Sequence, residues 1–181
     1  MRKSRTSRFR RSAAAVAAAL LLFPLNAPTA SAAVGDLACT GNFQFNFTPP
    51  LTSSTTTADA EVSGGLVDCF SLNGSYTRLK SGYRTGVGTV SRPLGTAPCA
   101  PIMTITEGAV LYWNTGERSK FDITVNTDPT SGDLAISAYF TQGPLAGDTA
   151  NAYPIVLHPN ADCATNGLSS LTSDLLEVFW E

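Results

Sequence analysis

The sequence predicts an all-β fold: a single antiparallel β-sandwich, immunoglobulin-like or jelly-roll-like, or a barrel, with about eight to ten short strands. Three observations lead there. Between Ser119 and Asn126 two sets of residues alternate without a break, Ser119, Phe121, Ile123 and Val125 against Lys120, Asp122, Thr124 and Asn126. A period of two marks a strand with one wet face. Leu134, Ile136, Ala138 and Phe140 repeat the pattern, and no helical period fits the stretch from Ile102 to Phe140. Turn formers recur at short intervals, at Asn73-Gly74, Asn114-Thr115-Gly116 and Thr127 to Asp133.

Taken in order, the chain opens with a targeting segment over residues 1–32. Arg2, Lys3, Arg5, Arg8, Arg10 and Arg11 make a basic start. Ala13 to Phe23 is apolar but short for a bilayer, and Ala30-Ser31-Ala32 is a small-x-small cleavage site. Arg10-Arg11 reads as part of a general secretory signal rather than a twin-arginine one. Cleavage after Ala32 leaves 149 residues, 33–181, one secreted domain large enough for its own core. No second hydrophobic run is long enough to span a membrane, so release into the medium is expected.

Asn42 to Thr48 is an opening strand with Phe43, Phe45 and Phe47 bound for the core, stopped by Pro49-Pro50, which lack an amide hydrogen. Ala58 to Val62 continues as a strand, with Gly64-Gly65 a bulge before Leu66-Val67. Asn73-Gly74 signals a hairpin, with Ser75 to Lys80 leaving it as a strand and Gly82 to Val90 holding another. Gly86-Val87-Gly88 lacks the third glycine and helix of a nucleotide site, and reads as close packing or a bulge. Arg92 to Pro101 is a connector. Ile102 to Thr106 and Val110 to Trp113 are strands separated by a bend at Glu107-Gly108, and Asn114-Thr115-Gly116 turns the chain into the next one. Gly143 to Asp148 is a loop. Ala152 to Leu157, interrupted by Pro154, reads as an edge strand. His158 to Gly167 is irregular, and Leu175 to Trp180 closes the fold with Leu176, Val178 and Trp180 inward.

Charge and cysteines bound the function. Six of the 12 Lys and Arg lie in the targeting segment and all 14 Asp and Glu lie beyond it, so the rest of the chain carries a formal charge of −8. That disfavours nucleic acid and anionic membranes, both polyanions, and favours a soluble monomer. Arg78, Lys80, Arg84 and Arg92 read as a solvated strand face. Cys39, Cys69, Cys99 and Cys163 all lie in the exported part, and an even count there argues for two disulfides. Four cysteines permit three pairings. A reversal near Pro50 favours Cys39–Cys69, which leaves Cys99–Cys163. With no Cys-x-x-Cys pair and one histidine, no metal site is expected.

Nor does the sequence point to catalytic residues or a cofactor. His158 sits between Leu157 and Pro159 with no Gly-x-Ser-x-Gly elbow in the chain. Glu107, Glu117, Asp122, Asp133 and Asp148 are candidate paired carboxylates for a glycan-active hydrolase, which needs two at the right separation. Asp128 and Asp133 bracket a turn and suit calcium chemistry less well than simple turn chemistry. Tyr112 and Tyr139 lie opposite their strands' core residues, so both are expected to face water and offer a ligand surface. The expected role is therefore non-enzymatic binding, of a cell-wall glycan or a secreted protein. An inhibitor of secreted proteases, presenting Arg92 to Pro101 held by Cys99, is the other alternative.

Several short pieces then fall in a familiar order: Cys39-Thr40-Gly41, Pro50-Leu51-Thr52, Trp113-x-x-Gly116-x-x-Ser119, Gly143-x-x-Ala146-Gly147-Asp148 and Cys163-x-x-x-Gly167-Leu168. Their order resembles a family of small secreted actinobacterial proteins rich in β-structure. The resemblance implies export, β-structure and disulfides, and no activity.

Overall fold

A computed structural model describes residues 35–127 and 134–181. Residues 1–32, expected to be a targeting segment with its cleavage site, and the turn expected around Asp128 and Asp133 lie outside these. The described strands are β1 (Ala38–Leu51), β2 (Thr57–Phe70), β3 (Gly82–Ser91), β4 (Thr104–Trp113), β5 (Arg118–Thr127), β6 (Leu134–Gln142), β7 (Thr149–Pro154), the two-residue β8 (His158–Pro159) and β9 (Leu168–Trp180). A single turn of helix, α1 (Cys163–Asn166), precedes β9.

Strands β1 to β7 pair each with the next, all antiparallel. β7 then pairs with β9, and β9 pairs back onto β1, from Ala38 opposite Phe179 to Leu51 opposite Leu168. The sheet therefore closes on itself as an eight-stranded barrel. β8 adds a short flank to β9. The sandwich alternative is corrected here. One-sided alternation is common to both architectures, and the choice rests on whether the last strand reaches the first. Closure pairs the first and last long strands with each other and removes their open edges, leaving the two-residue β8 as a strand paired on one side only.

The alternation places one side of each strand inside. Phe43, Phe45, Phe47, Ile105, Leu111, Trp113, Phe121, Ile123, Val125, Phe140, Leu176, Val178 and Trp180 are all buried, as the sequence pattern predicts. One disulfide ties each end of the barrel: Cys39–Cys69 where β1 starts and β2 ends, and Cys99–Cys163 where the β3–β4 connector meets α1.

Several local expectations change. β4 runs unbroken, because Glu107 is not at a bend but points inward among core residues. Pro49 and Pro50 do not end β1. They fall where the β1–β9 ladder is interrupted, so no amide hydrogen is missed, and Leu51 rejoins it. Gly64-Gly65 holds regular register opposite Phe43 and Asn42, and the β1–β2 irregularity lies between Ala38 and Thr40, near the positive-φ Asp68. Asn73-Gly74 opens no tight hairpin. The Asn73 carboxamide oxygen accepts from Ser75 N–H at 2.9 Å and its nitrogen donates to Asp36 Oδ1, which fixes a loop from residue 71 to 81 instead. That loop drops Leu79 into the core, fully buried. β7 is no edge strand, being paired with β6 and β9, and Pro154 simply ends it.

Candidate functional site

Two places on the barrel concentrate chemistry: its interior, and the outer wall of β3 to β6. Inside, β3 directs Gly82, Arg84, Gly86, Gly88 and Val90 toward the axis. Arg84 Nη2 donates to Glu107 Oε1 at 3.2 Å, and its guanidinium carbon lies 6.0 Å from the ring centres of both Phe45 and Phe121. Glycine is required beside this pair. A Cβ on Gly86 would overlap the Glu107 carboxylate, and one on Gly88 would stand 2.6 Å from Glu107 Cβ. The close-packing reading of Gly86-Val87-Gly88 thus holds, and the acid of β4 is what fills the space. The solvated-face reading of Arg78, Lys80, Arg84 and Arg92 is corrected for two members. Arg84 is interior. Arg92 is 5 % exposed and donates to the carbonyls of Ala97, Pro98 and Ala100.

Burial raises the Glu107 carboxyl pKa against the opposing pull of Arg84, and burial lowers the Arg84 guanidinium. Arg84 Nε and Glu107 Oε2 are buried without a protein partner. The void beside Arg84, lined by Phe43, Phe45, Leu111, Phe121 and Phe140, has a volume of about 60 Å³. Water occupies about 30 Å³ in the liquid, and a cavity that takes benzene is about 150 Å³. The void beside Arg84 is therefore large enough to admit water and smaller than a cavity that takes benzene.

The outer wall is built by the complementary set of residues. Register sets Tyr83 of β3 directly opposite Tyr112 of β4, and Tyr112 opposite Arg118 of β5. Lower on the wall, Val87, Gly108, Asp122 and Tyr139 form a row across β3 to β6. Gly108 has no side chain, so the wall dips there between Val87, Val110 and Asp122. Tyr83, Tyr112 and Tyr139 are 54 %, 40 % and 53 % exposed. Tyr112 is the least open because the Arg118 guanidinium lies 5.1 Å over its ring. Tyr112 and Tyr139 are separated by two strands and four residues, roughly 17 Å on a flat sheet. Tyr83 escaped the sequence reading. Its strand carries glycines on the inner face, so the usual contrast of apolar inside and polar outside is weak there.

The remaining candidates are dispersed. Glu117 is held by Arg78 at 3.0 Å on the β4–β5 hairpin, Asp122 is on the outer wall, and Glu107 is on the barrel axis. Asp148 is buried in the β6–β7 loop near Asp36, which the sequence reading passed over. Burial, and then the charge of Asp36, raises the Asp148 pKa to about 6. His158 is exposed on β8. The connector after Arg92 is turned rather than extended, with Thr96 N–H donating to Pro93 O at 3.3 Å. No helix among the described residues is long and apolar enough to cross a membrane. No family model, curated protein or solved structure matches this chain.

Proposed function

We propose that the protein is a secreted, non-enzymatic binding module whose β3–β6 wall holds a cell-wall polysaccharide chain. The carrying observation is the grouping of Tyr83, Tyr112 and Tyr139 around the dip at Gly108. Aromatic faces stack on the apolar faces of sugar rings, and the phenol hydroxyls bond to sugar hydroxyls. A strand scaffold holds the rings at fixed spacing, so a linear ligand meets several at once. Two disulfides support an oxidising compartment, and the basic, apolar and small-residue order of residues 1–32 supports export. The test is retention on insoluble cell-wall polysaccharide. Tyr83→Ala with Tyr139→Ala should weaken it at least about tenfold, as expected when two stacking contacts of about 1 kcal/mol each are lost, with an unchanged melting temperature. Wild-type retention by that variant removes the wall from consideration.

A second reading, a secreted protein partner, has its own support on the opposite side. Ala38 faces outward between Phe70 and Phe179, and the Tyr153 and Phe179 rings lie 6.4 Å apart. Ile155, Val156 and Leu175 extend this exposed apolar area. Phe70→Ser with Phe179→Ser should abolish capture of a partner from the secreted fraction and spare polysaccharide retention. Unchanged capture by that variant excludes this face.

A further inference from the structure

The β3–β6 wall carries a charge that the chain as a whole does not. Six Lys and Arg lie among the described residues. Two of them, Arg84 and Arg92, are turned inward. The other four, Arg78, Lys80, Arg118 and Lys120, are exposed, and all four gather around the β4–β5 hairpin. Arg78 reaches the hairpin through Glu117. Lys80 is tied to it by its N–H, which donates to Asn114 Oδ1 at 2.8 Å. Arg118 and Lys120 stand on the outer face of β5, the first of them stacked on Tyr112. The acids on this side are Glu117, already paired with Arg78, Asp122 two residues beyond Lys120, Asp68 beside the Cys69–Lys80 backbone contact, and the buried Asp36 and Asp148, which with Arg78 lie close to Tyr76. Asp174 and Glu177 of β9 are exposed on the other side of the barrel, while the exposed Asp59 and Glu61 of β2 border the wall, Glu61 directly opposite Val87 and three strands from Lys120. Eight strands about 4.8 Å apart, tilted about 40°, make a barrel roughly 16 Å across. That exceeds the Debye length of about 8 Å at physiological salt, so the far acids do not cancel the near cations.

Resting on the polysaccharide reading above, we infer that the ligand is an anionic glycan. Its sugar faces stack on the tyrosines, and its carboxylate or phosphodiester groups meet Arg118 and Lys120. The patch is small and set in an acidic molecule. A flexible glycan with one charge per sugar or repeat can be gripped locally. Duplex nucleic acid carries a charge every ~1.7 Å of its axis and would continue onto the acidic flanks.

The experiment compares retention on immobilised polygalacturonate, on its fully methyl-esterified form, which has the same backbone without the charge, and on poly(glycerol phosphate). The wild-type protein should bind polygalacturonate about tenfold tighter than the ester, and the preference should shrink between about 50 and about 300 mM salt. Arg118→Gln with Lys120→Gln should cut the ratio of acid to ester binding to about two or less, since two exposed charge contacts are lost. Stronger retention on poly(glycerol phosphate), which has no sugar ring, than on polygalacturonate shows that charge without stacking suffices and overturns the inference. Equal binding of acid and ester, insensitive to salt, overturns it and leaves the tyrosine wall standing. Absence of retention on all three polymers overturns both readings. Preference for duplex DNA at matched charge overturns the glycan assignment.

Discussion

Arg84 and Glu107 show how a single interior pair is kept in an apolar barrel. Each side chain alone is an uncompensated buried charge. Together they offset part of the desolvation, and two of their polar atoms still lack a protein partner. Removing one member should cost about 3–5 kcal/mol, while replacing both by apolar residues of similar volume should be close to neutral. Denaturant unfolding of Glu107→Leu, Arg84→Met and the double variant checks this, and simple additivity of the two losses contradicts it. Asp148 makes a separate prediction. Its carboxyl is raised to about 6 in the folded protein from the ordinary aspartate value of 3.8, so the unfolded chain gives up its proton first as pH rises. Stability from this group is full below pH ~4, falls through the window up to ~6 and stays low above it. Asp148→Asn should gain about 1–2 kcal/mol over the wild type at pH 7 and nothing at pH 4. An equal effect at both pH values refutes the assignment. At this scale the sequence was partly legible. Alternation puts Arg84 on the inner face of β3, but its residue type argues for water, and Gly108 beside Glu107 suggests a bend that hides the alternation of β4. No local signal marks Asp36, because its burial comes from the loop that Asn73 folds over it.

Among the elements, β1 and β2 approach closely enough to need glycine at one position and not at the next. A Cβ on Gly64 would overlap the Asn42 carbonyl oxygen, which is backbone and cannot swing aside, whereas a Cβ on Gly65 finds its nearest neighbour at 3.7 Å. Gly64→Ala should therefore destabilise by about 1–3 kcal/mol and Gly65→Ala by no more than about 0.5 kcal/mol. Equal melting temperatures for the two variants would show that the strands are not so closely apposed. The β4–β5 hairpin was the most legible element, since its turn residues and both alternations agree. Gly116 takes φ +84°, and Trp113 Nε1 donates to Ser119 Oγ at 2.9 Å, a buried bond that joins the two strands at the turn. Strand ends were less legible. Whether Pro49 ends a strand or Asn73-Gly74 makes a tight turn depends on what lies across the ladder, and that partner is far away in sequence.

For the whole molecule, the pattern of alternating residues identified an all-β domain with the correct inner set, and the reversal near Pro50 favoured the disulfide pairing that the structure contains. The separations of 30 and 64 residues correspond to about 3–4 kcal/mol of loop entropy for each bridge. Closure was not legible, because β1 and β9 meet across 117 to 141 residues and nothing in either strand names its partner. Yet closure defines the wall: it turns one side of every strand inward and leaves Tyr83, Tyr112, Tyr139 and the four exposed cations to the solvent side. The most direct test is a nuclear Overhauser spectrum of the oxidised protein, read for backbone contacts between β1 and β9. Cross-strand cross-peaks joining Cys39 to Val178 and Gly41 to Leu176 are predicted, as strong as those between β4 and β5. Their absence, with β1 and β9 amides exchanging like open edges, would contradict the barrel and the binding wall built on it.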